Sequence, residues 1–174
     1  NISLTTKIKN SIFETNSFLL QKKDFSLIEY ASFFGSIQIF KYLQLNNVEL
    51  TPSLIMFAIH GQNPDLIHIL EENNIKPTFD STNIYLSECI KCHHNEYYKY
   101  YLDNFVQNIK MSNKDCIVAA LESYNFFILQ NDINYYQYLY YICKYDHTFL
   151  CQKLIANQQL DVNVDEILIK LICE

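Results

Sequence analysis

Cys89, Cys92, His93 and His94 fall within the six-residue run CIKCHH, and that spacing suits three chemistries. Two cysteines three apart followed by histidine is the pattern that attaches c-type haem. On a helix, positions 89, 92 and 93 stand at i, i+3 and i+4, so one face can offer three ligands to zinc. A structural zinc site needs a fourth ligand, and His60 is the candidate. A Cys-x-x-Cys pair is also a thiol redox centre when it opens a helix after a strand. Other catalytic constellations are absent. His60, His68, His93, His94 and His147 show no Ser-His-Asp or Cys-His spacing, and Glu71-Glu72 reads as a solvated helix end. The two glycines, Gly35 and Gly61, are too far apart in sequence for a phosphate loop.

The chain around these residues has 174 residues, 49% of them hydrophobic, with only 2 Gly and 3 Pro. That length buries a core without staples, and the scarcity of turn residues favours helices over a β sandwich. The formal charge is −6 and every one of the 13 basic residues is lysine. Phosphate neutralisation needs many cations together, so no nucleic-acid partner is expected. No apolar run approaches the ~18 residues of a membrane span, and none reads as a leader. With six scattered cysteines, this points to a reducing cytoplasm. No membrane, cofactor, metal or small-molecule substrate is expected.

The strongest organisation is a repeat. SLIEYASFFGSIQIFKYLQLNN (26–47) and SLIMFAIHGQNPDLIHILEENN (53–74) share a frame at a shift of 27, through Ser26/Ser53, Ala31/Ala58, Leu43/Leu70 and Asn46/Asn73. Repeats of this period mean stacked helical units. In each unit a capped helix is followed by a turn and a second helix. Ser26 and Glu29 form a capping box, Gly35 breaks the first helix, Ala31 allows close approach, and Asn46-Asn47 ends the second helix. Weaker copies place Leu86 at the Ile28 position, Cys89 at Ala31, His93 at Gly35 and Asn104 at Asn46. Further on, Cys116 falls at Ile28 with Ser123 at the turn, and Cys143 at Ala31 with His147 at the turn. The turns at 35, 62, 93, 123 and 147 step by 27, 31, 30 and 24 residues.

This organisation resembles the ankyrin repeat. GSIQIFKYL (35–43) is similar to the family's second helix, HHNEYYKYYL (93–102) is a disguised copy, VAA (118–120) ends a first helix, and DVN (161–163) matches the closing tripeptide. More narrowly, residues 27–104 look like a divergent ankyrin-like domain of unknown function, known mainly from protist proteins. The fold class implied is all-α: a single solenoid of stacked helix–turn–helix repeats over 1–174, with short or missing β-hairpin fingers. Residues 1–23 would be a helical cap carrying Ile8, Ile12, Leu19 and Leu20. The repeats would run about 24–50, 51–80, 81–110, 111–133 and 134–163. Residues 164–174, VDEILIKLICE, would begin a further helix whose apolar face suggests a larger protein. Ankyrin units run 33 residues, and NNVELTPS (46–53) is too short for a full finger.

Within this frame the cysteine question has a plain answer. Cys89 fills a small core slot, as free cysteine readily does, Cys92 precedes the turn and His93 is the turn. Stacked helix pairs leave no room for a haem macrocycle, and the pair lies late in a helix, where a redox centre would not. The function implied by the resemblance is a non-catalytic protein–protein interaction module. The alternative is a metal-binding or enzymatic domain centred on Cys89, Cys92 and His93. In the resembling family the concave face binds, which carries over to the residues just before each turn. These are Phe33 and Phe34, His60 and Gly61, Lys91 and Cys92, Leu121 and Glu122, then Tyr145 and Asp146. Tyrosines in NYYQYLYYICKY (134–145) are expected to pack in the core with wet hydroxyls.

Overall fold

The computed structural model describes residues 3–22, 24–77, 82–105, 113–129 and 133–156. Among these the chain is mostly helical. In order it forms β1 (Lys7–Lys9), α1 (Ser17–Leu20), β2 (Asp24–Ser26), α2 (Leu27–Phe33), α3 (Ile37–Leu45), α4 (Leu54–Gly61), α5 (Pro64–Glu72) and α6 (Thr82–Lys91). There follow α7 (Asn95–Phe105), α8 (Asn113–Glu122), a 3-10 turn (Tyr135–Tyr138), α9 (Leu139–Lys144) and α10 (Thr148–Ala156). The contacts divide into two compact units, residues up to Tyr85 and residues from Leu86 on. The stretches DVN (161–163) and VDEILIKLICE (164–174) lie outside the described residues.

In the first unit, two helix pairs follow one plan at the 27-residue shift. Ser26 caps α2 through a full capping box: its hydroxyl accepts from the Glu29 amide at 3.3 Å, and Glu29 Oε2 accepts from the Ser26 amide at 2.8 Å. Ser53, its counterpart by sequence, does not cap α4 with its side chain. Its hydroxyl instead donates to Glu29 Oε1 at 2.7 Å, tying the start of one pair to the next. Pro64 sits in the first turn of α5, where its missing N–H costs nothing. Both second helices end alike. Asn46 and Asn73 each donate a side-chain N–H to the carbonyl four residues back at 2.7 Å, and Asn47 and Asn74 follow in the left-handed conformation.

The two glycines, distant in sequence, meet here. Gly35 holds φ +62, a conformation that costs other residues steric strain. A Cβ on Gly61 would stand 2.1 Å from the Ser32 carbonyl oxygen and 2.9 Å from the Gly35 nitrogen. Their absence of side chains is what lets α2 and α4 approach. Asn63, just past the second turn, donates its side-chain N–H to the Gly35 carbonyl at 3.0 Å. Ile28, Ala31, Leu54, Ile55, Ala58 and Ile59 are buried, as the apolar spacing predicts.

The N-terminal segment departs from the expected purely helical cap. Lys7–Lys9 pairs antiparallel with Asp24–Ser26, Ile8 opposite Phe25. Among the described residues of this segment only Ser17–Leu20 is helical, capped by Asn16, whose side chain accepts from the amides of Phe18 and Leu19. Phe18, Leu19 and Phe25 pack with Phe57 into one cluster. Ile12 is 92% exposed and Leu20 53%, so they are not core residues. Asn10 donates to the carbonyls of Leu19 and Lys22 at 2.9 and 2.7 Å, which holds the loop closed against α1. A three-residue strand is too short to announce itself by alternation.

In the second unit the same turn recurs. Left-handed residues at His93, Tyr124 and Asp146 match Gly35 and Gln62 of the first unit. The residue after each donates its amide to a carbonyl five back: His94 to Cys89, Asn125 to Ala120, His147 to Ile142, as Ser36 does to Ala31. This is the Schellman closure of a helix C-terminus. It fixes the frame, placing Cys89, Ala120 and Ile142 where Ala31 stands. Two sequence assignments therefore shift by one residue. The turns are at Tyr124 and Asp146 rather than Ser123 and His147, so Ile117, not Cys116, holds the Ile28 position, and Ile142, not Cys143, the Ala31 position. Asn104 donates to the Tyr100 carbonyl at 2.8 Å, the same cap as Asn46.

The fourth copy differs more. After Tyr124 the chain turns through Phe126–Ile128, where the other copies have already begun their second helix. Asn125 is buried and donates to the Ile90 carbonyl at 2.9 Å and to Asn95 Oδ1 at 2.8 Å. His147 occupies the equivalent place after Asp146, and its Nε2 donates to the Leu121 carbonyl at 2.7 Å. Ile117, Leu121, Tyr138, Leu139, Ile142 and Leu154 form the core here. Of the tyrosine-rich run, Tyr138 is buried, while Tyr135, Tyr136, Tyr141 and Tyr145 lie half-buried against the same cluster.

Candidate functional site

Cys89 lies on α6 with its side chain wholly buried, where Ala31 packs in the first pair. Burial, with the neighbouring Cys92 and Glu88, drives its thiol far above the ordinary cysteine range. Burial also pushes Cys92 up to about 12, with Glu88 adding to the shift and Lys91 opposing it. Cys116 rises to about 11 by burial and the charge of Asp115. A thiol nucleophile or metal ligand must be a thiolate, and every one of these environments favours the neutral form. His93 stands on the turn, exposed, with Nε2 donating to the Ser123 carbonyl at 2.9 Å. A carbonyl only accepts, so Nε2 carries the proton and this side of the ring is held on the turn, while Nδ1 keeps the lone pair. The CIKCHH run is thus built into helix packing and turn closure.

The residues expected to line a binding face separate into distinct environments. In the first unit, Phe33 is half-buried, its ring 6.0 Å from Phe18 in parallel and 5.2 Å from His60. His60 is itself half-buried, 4.1 Å from the Phe18 ring. Phe34 is 57% exposed and its ring makes T-shaped contacts with Phe33 and Tyr30, centroids 5.0 and 4.8 Å apart. Gly61 is the close-approach point already described. The four residues make one patch, in which Phe34 alone offers a largely open ring.

In the second unit, Lys91 and Glu122 come from the C-terminal ends of α6 and α8, and their charged groups lie 3.6 Å apart. Both are about half exposed, so the pair contributes under about 1 kcal/mol to stability. With Ser87, Lys114, Asp115 and Tyr141 they line a cavity of about 270 Å³. Leu121 is wholly buried in the core, so it belongs to no surface, although its neighbour Glu122 does. Burial follows from Leu121 lying three residues before the true turn, on the inward face of α8. Tyr145 is half-buried and Asp146 is exposed on the turn.

A second cavity, of about 440 Å³, opens among Tyr124, Phe126, Asp146, His147, Phe149 and Leu150. Of these, the repeat frame singles out only Asp146, before the fifth turn, and His147, as that turn; the others come from the fourth turn and the start of α10. Exposed aromatics at 124, 126 and 149 were the available signal. The chain matches no family model, no curated protein and no solved structure. No helix among the described residues is long and apolar enough to cross a membrane.

Proposed function

We propose that this chain is a non-catalytic protein–protein interaction module built from ankyrin-like helix pairs. The observation that carries the reading is the cavity at Lys91, Glu122 and Tyr141, to which three successive first helices, α6, α8 and α9, each contribute a side chain. In a repeat array the first helices line the face that binds extended partners. Neighbouring charges of opposite sign suit a polypeptide partner better than a uniformly charged polymer. The recurrence of one turn geometry supports the array, and thiols kept neutral by burial count against the metal or enzymatic alternative. The ankyrin kinship, the cytoplasmic setting and the lack of a nucleic-acid partner belong to this reading too.

The test is affinity capture from the native organism with three baits: the unaltered chain, the charge swap Lys91→Glu/Glu122→Lys, and Phe34→Ser. The swap keeps the ion pair and net charge but reverses the pattern a partner meets. Loss of a specific captured protein with the swap bait supports the surface. Identical capture by all three baits removes it.

A further inference from the structure

The cavity at the fourth and fifth turns has the makings of an aromatic cage. At the left-handed turn position the chain elsewhere uses Gly35, Gln62, His93 and Asp146. At 124 it holds a tyrosine at φ +56, an unfavoured conformation for a bulky residue, and such outliers gather where a side chain must be aimed. The Tyr124 hydroxyl donates to the Tyr145 carbonyl, which fixes the ring. The Phe126 ring stands 6.5 Å away at 70°, and the buried His147 ring lies 4.6 Å from Tyr124 and 5.8 Å from Phe126. Phe126 is 59% exposed and Phe149 73%, yet both line this cavity. Asp146, also in the lining, accepts from the Thr148 hydroxyl at 3.1 Å.

We propose that this cavity binds the side chain of a methylated lysine in a protein tail, with Tyr124, Phe126 and Phe149 as ring walls and Asp146 as the counter-charge. The choice of guest follows from the walls. Aromatic faces attract a cation within about 6 Å of the ring centre. An unmodified ammonium is strongly hydrated and would surrender that water for one carboxylate. A purely apolar guest would desolvate Asp146 with no opposite charge in return. A methylated ammonium keeps its charge and carries an apolar coat, so it satisfies both kinds of wall. The cavity, at about 440 Å³, is ample for that headgroup and part of its stem. The net charge of −6 favours approach of a basic tail. This site is separate from the Lys91–Glu122 surface and does not rest on it.

The test is a calorimetric titration of the full chain with four probes. These are a short peptide bearing trimethyllysine, the same peptide with unmodified lysine, its neutral isostere with carbon in place of the ammonium nitrogen, and choline. The trimethyllysine peptide is expected to saturate, with the isostere and unmodified peptide about tenfold weaker or more. Phe149→Ala and Asp146→Asn are each expected to weaken binding by about fivefold or more. Neither should lower the thermal midpoint: Phe149 is mostly exposed, and asparagine tolerates the left-handed turn. Equal binding of the isostere, tighter binding of choline than of the peptide, an unaffected Phe149→Ala, or no saturation at about 1 mM would each overturn the proposal.

Discussion

Two adjacent phenylalanines show how much a single position on a helix decides. Phe33 lies on the inner side of the α2 terminus, stacked with Phe18 and His60, while Phe34 projects outward. By composition they are indistinguishable, and the sequence offered both as contacts. Phe33→Ser should destabilise the protein by about 2–4 kcal/mol, less than a fully buried phenylalanine loses. Phe34→Ser should change stability by no more than about 0.5 kcal/mol. Urea denaturation of the two variants measures this directly, and equal losses would show that Phe34 is a packing residue after all. The cysteines follow the same logic. Cys89 was readable as a small apolar residue because its neighbours repeat those of Ala31. The neutral state of Cys92 was not readable, since it depends on burial and on Glu88.

At the scale of elements, what could be read was chemistry local to a few residues. The capping box of Ser26 and Glu29 needs only its own turn of helix, and the left-handed turns at 35, 62 and 93 follow from sequence periodicity. The last two turns were displaced by one residue because Ser123 looks more turn-like than Tyr124, and because the fifth copy is too loose to fix its frame by spacing. The real roles of Ser123 and His147 are hydrogen bonds: His147 to the neighbouring pair at Leu121, and the Ser123 hydroxyl back to its own helix at Ala119. Nothing in spacing reveals such partners. Nor could the contact of the two glycines be seen, being a property of α2 against α4. It gives a sharp prediction. Gly61→Ala sits in a helix, where alanine is normally favoured by up to about 1 kcal/mol. Here it should instead destabilise by about 2 kcal/mol or more, because the new methyl meets a backbone carbonyl. A thermal melt no lower than that of the unaltered chain would contradict the packing.

Across the whole molecule the buried thiols and phenols set a pH limit. Cys92 and Cys116 rise from an ordinary 9.0 to about 12 and about 11, and Tyr98 from 10.0 to about 12, all chiefly through burial. Their folded values exceed the unfolded ones, so the unfolded chain loses protons first as pH rises. The stability they contribute is complete below about pH 8 and declines from about pH 9 upward. Denaturant midpoints between pH 7 and 11 should therefore hold level and then fall. A midpoint that stays constant to pH 11 would mean these groups are hydrated in the folded protein.

The recurring turn has an evolutionary corollary. Left-handed residues at 35, 62, 93, 124 and 146 step by unequal lengths, yet at 35, 93, 124 and 146 the residue after the bend makes the same closing bond. Where a second helix forms, it begins two residues later. Length varies in the connections between bends and not in the few residues straddling each bend. Kindred chains, however much they drift in length, should keep that short segment free of gaps.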